Sequence, residues 1–378
     1  MPPAPEPAPS ATLAERIRAS ADADGFLPFD RFMDLVLYDP VAGFYARAAS
    51  PFGAAGDFYT APQVHPLFAA TLAARVRSAA GSLRGRGPVR LVEIGAGDGT
   101  LAEALLGALG PDAGLDEYLL IERSEPLARR ALERTRVAGD LARVPVRRAV
   151  SIAAEGPTVG VVVANELLDA IPARRVRWTG ERWSELGVRV GPRGLEPAEG
   201  PLRDAVPPPP LPTSPEAGTI VEFSSGAEAL VREVADHLVA GLFVILDYGM
   251  SEAELLAAHP RGTLEAIRQH RSVADPLSAP GETDLSVFVN FDRVRSAARA
   301  AGWTEVAFRS QAEALGAWGF PERFQEALAR TGSSEEEVRL RLAAKNLLFG
   351  FERFRVLELA PPGERPLAGA TLASAGRP

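Results

Sequence analysis

The stretch Glu93-Ile94-Gly95-Ala96-Gly97-Asp98-Gly99 sets three glycines at alternate positions directly behind the apolar run that opens at Val89. A parallel strand ending this way brings bare backbone up to a ligand and aims the N-terminus of the next helix at it. Two cofactor classes use such a turn. Dinucleotide sites space their glycines G-x-G-x-x-G, and the third would fall on Thr100, where the pattern fails. S-adenosylmethionine has no phosphate to cradle. It needs close backbone approach to its methionine part and a carboxylate near its ammonium group, and Glu93 with Gly95, Gly97 and Gly99 fits that form. Glu122 closes a second apolar run, where a carboxylate can accept both ribose hydroxyls of an adenosine. Singly, Glu93 could touch a helix dipole and Glu122 could be a solvated strand-end charge; the two acids at the ends of adjacent strands point to the cofactor.

Asn165 and Glu166 leave a third apolar run at the place where doubly wound sheets bind ligands, and Asp169 follows one helical turn beyond Glu166. A methyl acceptor facing the sulfonium would lie here, with Asn165, Glu166 and Asp169 as catalytic residues. Equally, Glu166 and Asp169 could cap the next segment, which Pro172 would end. Spacing alone does not choose.

The elements that must position these residues are legible in outline. At 378 residues, 46% of them hydrophobic, the chain can build one large domain or two. A formal charge of −8 argues against non-specific attraction to nucleic acid or anionic lipid. The absence of cysteine excludes disulfides, thiolate catalysis and cysteine-based zinc sites, and the four histidines (65, 237, 259 and 270) lack metal-ligand spacing. No metal is expected. No apolar run is long enough to span a bilayer, and the Pro-rich start at 1–11 has neither the basic nor the apolar region of a secretory signal. With arginine used almost throughout and Lys345 as the only lysine, the composition fits a GC-rich genome. The expectation is a cytoplasmic bacterial protein.

From position 89 short apolar strands alternate with helices, which predicts an α/β fold with a parallel sheet covered on both faces. Before it, helices are expected over 12–19, from an N-cap at Asp30 to a stop at Pro40, and over 66–80. The period-two stretch 173–190 reads as a hairpin about Thr179-Gly180, followed by a Pro-rich loop over 197–215. The sheet is then expected to resume at 218–224 and again at 242–249. Segment 250–286 shows no clear periodicity and is taken as a lid; a helix, a strand, two further helices and a closing strand over 354–359 complete the reading.

Six stretches then occur in order: "GDFYTAP" at 56–62, "EIGAGDGTL", "NELLDAIP", "ILDYG" at 245–249, "GTLEAIRQHR" at 262–271 and "DPLSAPGETDLSVFVNF" at 275–291. Together they resemble the MidA-type class I methyltransferases, a family that includes a mitochondrial protein-arginine methyltransferase. The resemblance implies a Rossmann-like, seven-stranded class I methyltransferase sheet with an N-terminal helical cap, an inserted hairpin and a lid segment. It implies a tail at 1–11, a cap and cofactor-covering loop at 12–88, a catalytic domain at 89–360 with insertions 173–218 and 250–290, and a flexible tail at 361–378. S-adenosyl-L-methionine is the implied cofactor. Gly56, Asp57, Phe58 and Thr60 would fold over its edge, Tyr248 would aim its hydroxyl into the cleft, and His270 holds a family position although a surface histidine beside arginines is the commoner case. The implied acceptor is a protein arginine, so a protein partner is expected, with a homodimer as a further association. A small-molecule methyltransferase under the same cap and a cofactor-binding assembly factor without turnover are the alternatives. The chain departs from the family at Gln63, where an acid is usual, and at Asn290, which stands for an aspartate.

Overall fold

The structure, a computed structural model, describes residues 12–47, 65–191, 194–202 and 215–364. The Gly56, Asp57, Phe58, Thr60 and Gln63 stretch lies outside the described residues, as do 1–11 and 365–378.

Seven strands form the main sheet: β1 (Val89–Ile94), β2 (Glu117–Ile121), β3 (Val146–Ala149), β4 (Thr158–Asn165), β5 (Leu238–Met250), β6 (Thr304–Ser310) and β7 (Phe354–Ala360). They lie in the order β6-β7-β5-β4-β1-β2-β3, and a two-residue strand, Val289–Asn290, adds to the end of β5. β1 to β5 run parallel, while β7 is antiparallel to both β5 and β6. Successive side chains point to opposite faces. Leu91, Val161, Val163, Leu242 and Val244 therefore pack on one side beneath helices Pro66–Ser82, Thr100–Leu109 and Ser334–Phe349. Val92, Val162, Phe243, Ile245 and Leu357 pack on the other, beneath Ser225–His237 and Phe291–Ala300. Each such side chain contributes roughly 1.5–3 kcal/mol on burial. The strand order reverses between β1 and β4, and a crevice opens there at the carboxyl ends of the strands.

Four expectations need correction. The Pro-rich segment does not begin as a loop: Gly194–Pro201 is a strand paired along Trp183–Gly191, and it tolerates Pro197 and Pro201 because it pairs on one side only. Ile220–Phe223 does not continue the main sheet. It joins the hairpin strand Arg174–Trp178, so that hairpin grows into a separate five-stranded sheet that also takes in Phe26–Pro28 from the N-terminus. A four-residue apolar strand carries no label saying which sheet will accept it. The helix Phe29–Tyr38 is capped from Pro28, whose extended backbone leads straight in from the strand, and Asp30 sits in its first turn. Where two helices are expected after β6 there are three, Gln311–Ala317, Phe320–Leu328 and Ser334–Phe349.

The N-terminal cap and the 250–290 insertion share one core. Ile17, Phe29, Phe32, Met33 and Val36 pack with Val188 of the small sheet and with Ala266, Leu277 and Leu285 of the insertion. The insertion has structure of its own: helix Glu252–Ala258 and a three-stranded sheet of Glu265–Arg268, Arg271–Ser272 and Asp284–Ser286. Glu222 ties it down. One carboxylate oxygen accepts from Arg175 Nε at 2.7 Å and the other from the Thr263 amide at 2.6 Å, while Thr263 Oγ1 accepts from the Phe288 amide at 2.9 Å. The insertion is thus anchored to the small sheet at Thr263, which in turn holds its far end at Phe288, by buried polar groups. No helix among the described residues is long and apolar enough to cross a membrane.

Candidate active site

The crevice is a cleft of about 920 Å³. One half is bounded by Ile94, Gly95, Gly97, Ile121, Glu122 and Val150; the other by Glu166, Asp169, Tyr248, Glu265 and Asp284, with Tyr38 and Tyr45 of the cap as a wall.

In the first half the glycine turn comes up bare. Gly95 has φ +77°, and a Cβ there would stand 2.7 Å from Leu167 Cδ1. The Gly97 amide donates to Glu122 Oε2 at 2.8 Å, and the Ser124 amide donates to Oε1 at 2.7 Å. Glu122 is therefore fixed at the rim of the turn with lone pairs left for a ligand. Burial pushes its carboxyl upward, against the amides of Ser124 and Gly97, which favour the ionised form.

Two residues of the motif do other work than the sequence suggests. Gly99 does not line the cleft. At φ +82°, with a Cβ position only 2.6 Å from Ala131 Cα, it lets helix Thr100–Leu109 lie against helix Glu125–Ala142. Glu93 is turned away, because strand alternation places it with Leu91 and Tyr118 beneath the turn. It is fully buried, accepts from the Tyr118 hydroxyl at 2.6 Å, and burial raises its pKa to about 8 against the effect of that bond. The ordinary value is 4.5, so between about pH 4.5 and 8 the folded chain holds a proton that the unfolded chain has released. This group's contribution to stability is present at low pH and falls as pH rises through that window. Glu93→Gln, isosteric and always neutral, is expected to melt close to wild type at about pH 5 and several degrees higher at about pH 9. Parallel melting curves for the two proteins across that range would refute the buried-acid assignment.

In the second half, the chain leaves β4 through a tight turn. Glu166 takes φ +51°, rare for a residue with a side chain, and its amide donates to Leu246 O at 2.8 Å. Asn165 does not line the cleft; its Nδ2 reaches Glu166 Oε1 at 3.2 Å, and its buried Oδ1 has no hydrogen-bond partner. Asp169 does line it. It is 8% exposed, its Oδ1 is likewise unpartnered, and burial raises its pKa to about 6 against the neighbouring Tyr248 hydroxyl. Tyr248 stands beside it as the sequence suggests, its ring edge-on to Phe288. His270 does not. With Gln269 it forms the positive-φ, two-residue turn between Arg268 and Arg271, exposed and not among the described residues that line the cleft.

Sequence reasoning missed the far wall. Tyr38 and Tyr45 stack at 5.3 Å; the Tyr38 hydroxyl donates to Ala170 O at 3.0 Å and the Tyr45 hydroxyl to Asp284 Oδ1 at 3.3 Å. The spaced aromatics of "LYDPVAGFY" were the available signal. Asp247 was also missed, although "ILDYG" contains it: it is fully buried and accepts the amides of the turn after β4.

The model of a family of S-adenosyl-L-methionine-dependent methyltransferases matches residues 69–308, more than half of the chain. The chain belongs to this family. It is 32% identical to a protein from Burkholderia thailandensis whose crystal structure was solved with S-adenosyl-homocysteine bound; the match covers 97% of each chain with a TM-score of 0.83. It is 27% identical over 324 residues to the Drosophila melanogaster "Protein arginine methyltransferase NDUFAF7 homolog, mitochondrial", covering 77% of this chain and 71% of that one. A Caenorhabditis elegans protein of the same name is 24% identical, covering 74% and 69%. The methyltransferase accordingly has a class I fold and uses S-adenosyl-L-methionine. The residues fit that cofactor: a glycine turn with no side chain in the way, a pinned carboxylate at the next strand end, and apolar Ile94, Ile121 and Val150 around them.

Proposed function

We propose that this methyltransferase modifies the guanidinium of an arginine in a partner protein. The observation that carries the reading is the acidic half of the cleft. Glu166, Asp169, Glu265 and Asp284 come together there from three segments, among three tyrosines. A guanidinium keeps its charge up to about pH 12, so it enters such a site as a cation, and paired carboxylates match its fork of donors. The relatives named protein arginine methyltransferases support the same acceptor.

In this reading the backbone of Gly95 and Gly97 and the carboxylate of Glu122 hold the cofactor, whose sulfonium supplies an electrophilic methyl group. Glu166 and Asp169 grip the acceptor and place its nitrogen. Asp169, poised near neutrality, accepts the proton that nitrogen gives up. Tyr248 orients Asp169, and the stacked pair Tyr38 and Tyr45 keeps water from that side. Holding two reactants at attack geometry can supply roughly 7–11 kcal/mol, so positioning carries most of the acceleration.

The test is transfer of a tritiated methyl group to an array of arginine-bearing peptides and to a native lysate, with the product identified by mass spectrometry. Label on arginine, lost when lysine replaces it, is the expected result. Glu122→Ala should weaken S-adenosyl-homocysteine binding about ten- to a hundredfold, the worth of a charged hydrogen bond. Label recovered only in a small molecule would keep methyl transfer and remove the protein arginine. Partner binding with no label at all would favour an assembly factor without turnover.

A further inference from the structure

We propose that Asp247 is a positioning residue of the methyl-transfer reaction, its carboxylate holding the turn that presents Glu166 and Asp169 to the acceptor. The inference rests on the reading that this turn faces the acceptor, whatever the acceptor's chemistry.

Asp247 lies near the end of β5, one residue beyond the pairing of Leu246 with Asn165. It is fully buried, and no basic side chain among the described residues pairs with it. Its compensation is backbone alone. Oδ2 accepts from the amides of Leu167 at 3.1 Å, Leu168 at 2.8 Å and Asp169 at 3.4 Å; Oδ1 accepts from the Tyr248 amide at 2.9 Å. Burial pushes this carboxyl well above the usual carboxylate range; a buried polar group is costly, and an aliphatic side chain would fill the place at less cost if packing were the only need. The carboxylate imposes a geometry instead. The 3-10 turn Leu168–Ala170 aims its first amides at this one oxygen, and Glu166 leads the chain into it at φ +51°. A left-handed residue with a side chain persists only where its surroundings hold it. Val287 donates its amide to Asp169 O at 3.1 Å and Tyr38 its hydroxyl to Ala170 O, which fixes the far side of the same turn. Asp247 fixes the near side, where the two acids project.

The experiment is steady-state methyl transfer to an arginine-bearing peptide; where the array yields none, the small molecule labelled by the wild-type protein takes its place, so failure of the arginine reading and of this inference are separate results. Asp247→Asn should keep S-adenosyl-homocysteine affinity and change KM little. Its kcat should fall about tenfold to a hundredfold, the effect of a small misplacement. Asp247→Glu keeps the carboxyl but shifts it by one methylene, so kcat should fall there too, again with cofactor affinity and KM little changed. If Asp247 acts through the turn, adding Asp247→Asn to Glu166→Gln should cost little beyond Glu166→Gln alone. Wild-type kcat in either folded variant, multiplying losses in the double variant, or a kcat loss matched by an equal loss of cofactor affinity would each overturn the proposal.

Discussion

Asp169→Asn is expected to lower kcat for methyl transfer by several hundredfold or more and to leave S-adenosyl-homocysteine affinity at the wild-type level. Asp169 is 8% exposed, lines the acceptor half of the cleft and has an oxygen with no partner inside the protein. An amide in its place cannot take the acceptor's proton, and a guanidinium would enter a partly dry cleft half paired. Breaking such a pair costs about 3–5 kcal/mol when it is buried, and about 1.4 kcal/mol is a tenfold loss of rate. The same change removes a carboxyl that burial penalises, so the variant should melt no lower than wild type. That combination separates a catalytic acid from a structural one. Glu166→Gln should follow it in direction. Wild-type turnover in Asp169→Asn would return the residue to packing.

The second large effect is expected at a residue that touches no ligand. Gly99→Val should lose several kcal/mol of stability, and with it measurable S-adenosyl-homocysteine binding. The new Cβ would sit 2.6 Å from Ala131 Cα and 3.0 Å from its Cβ, against backbone that cannot swing aside. A β-branched residue at φ +82° adds left-handed strain of roughly 1–2 kcal/mol, and overpacking adds about 1–3. The helices Thr100–Leu109 and Glu125–Ala142 must separate, and Gly97, whose amide fixes Glu122, sits between them and the cofactor. Gly95→Ala is the milder control, since its nearest contacts are side-chain atoms of Leu167, from Cδ1 at 2.7 Å to Cβ at 3.3 Å, and not backbone. Chemical denaturation and calorimetry measure both effects. A Gly99→Val protein with wild-type stability and affinity would show that the third glycine is dispensable.

Local chemistry made part of this molecule readable. The alternation of short apolar strands with helices carries the sheet, because a strand covered on both faces must be apolar throughout, and β1, β2 and β4 appear where that pattern stands. The glycine turn was readable because few ligands need backbone that bare. Direction was not. Glu93 and Glu122 look alike as strand-end acids, yet Glu93 is still inside its strand, hydrogen-bonded to Tyr118 below, while Glu122 has just left its own and stands on the rim. Non-local pairing was not readable either. Ile220–Phe223 and Phe26–Pro28 meet in one small sheet across most of two hundred positions, and Asp284 reaches the cleft by packing against a tyrosine of the cap. His270 shows the limit of a positional match: the backbone needed a two-residue turn there, and that need set its place.

β7 pairs on one side with β5 and on the other with β6, although it comes later in the chain than both. On the ribosome, the nascent polypeptide therefore emerges with its sheet split, two strand edges facing each other across a vacant lane. β1 to β4 have all their neighbours once β5 is made; β5 and β6 must wait for residues 354–360. Until then their amides and carbonyls offer a template to any extended segment nearby, including the same lane of another unfinished copy. Premature termination just ahead of Phe354 would make that waiting state permanent. The resulting fragment would carry every residue assigned here to the cofactor and the acceptor, and would still be a candidate for strand exchange and chaperone capture rather than for catalysis.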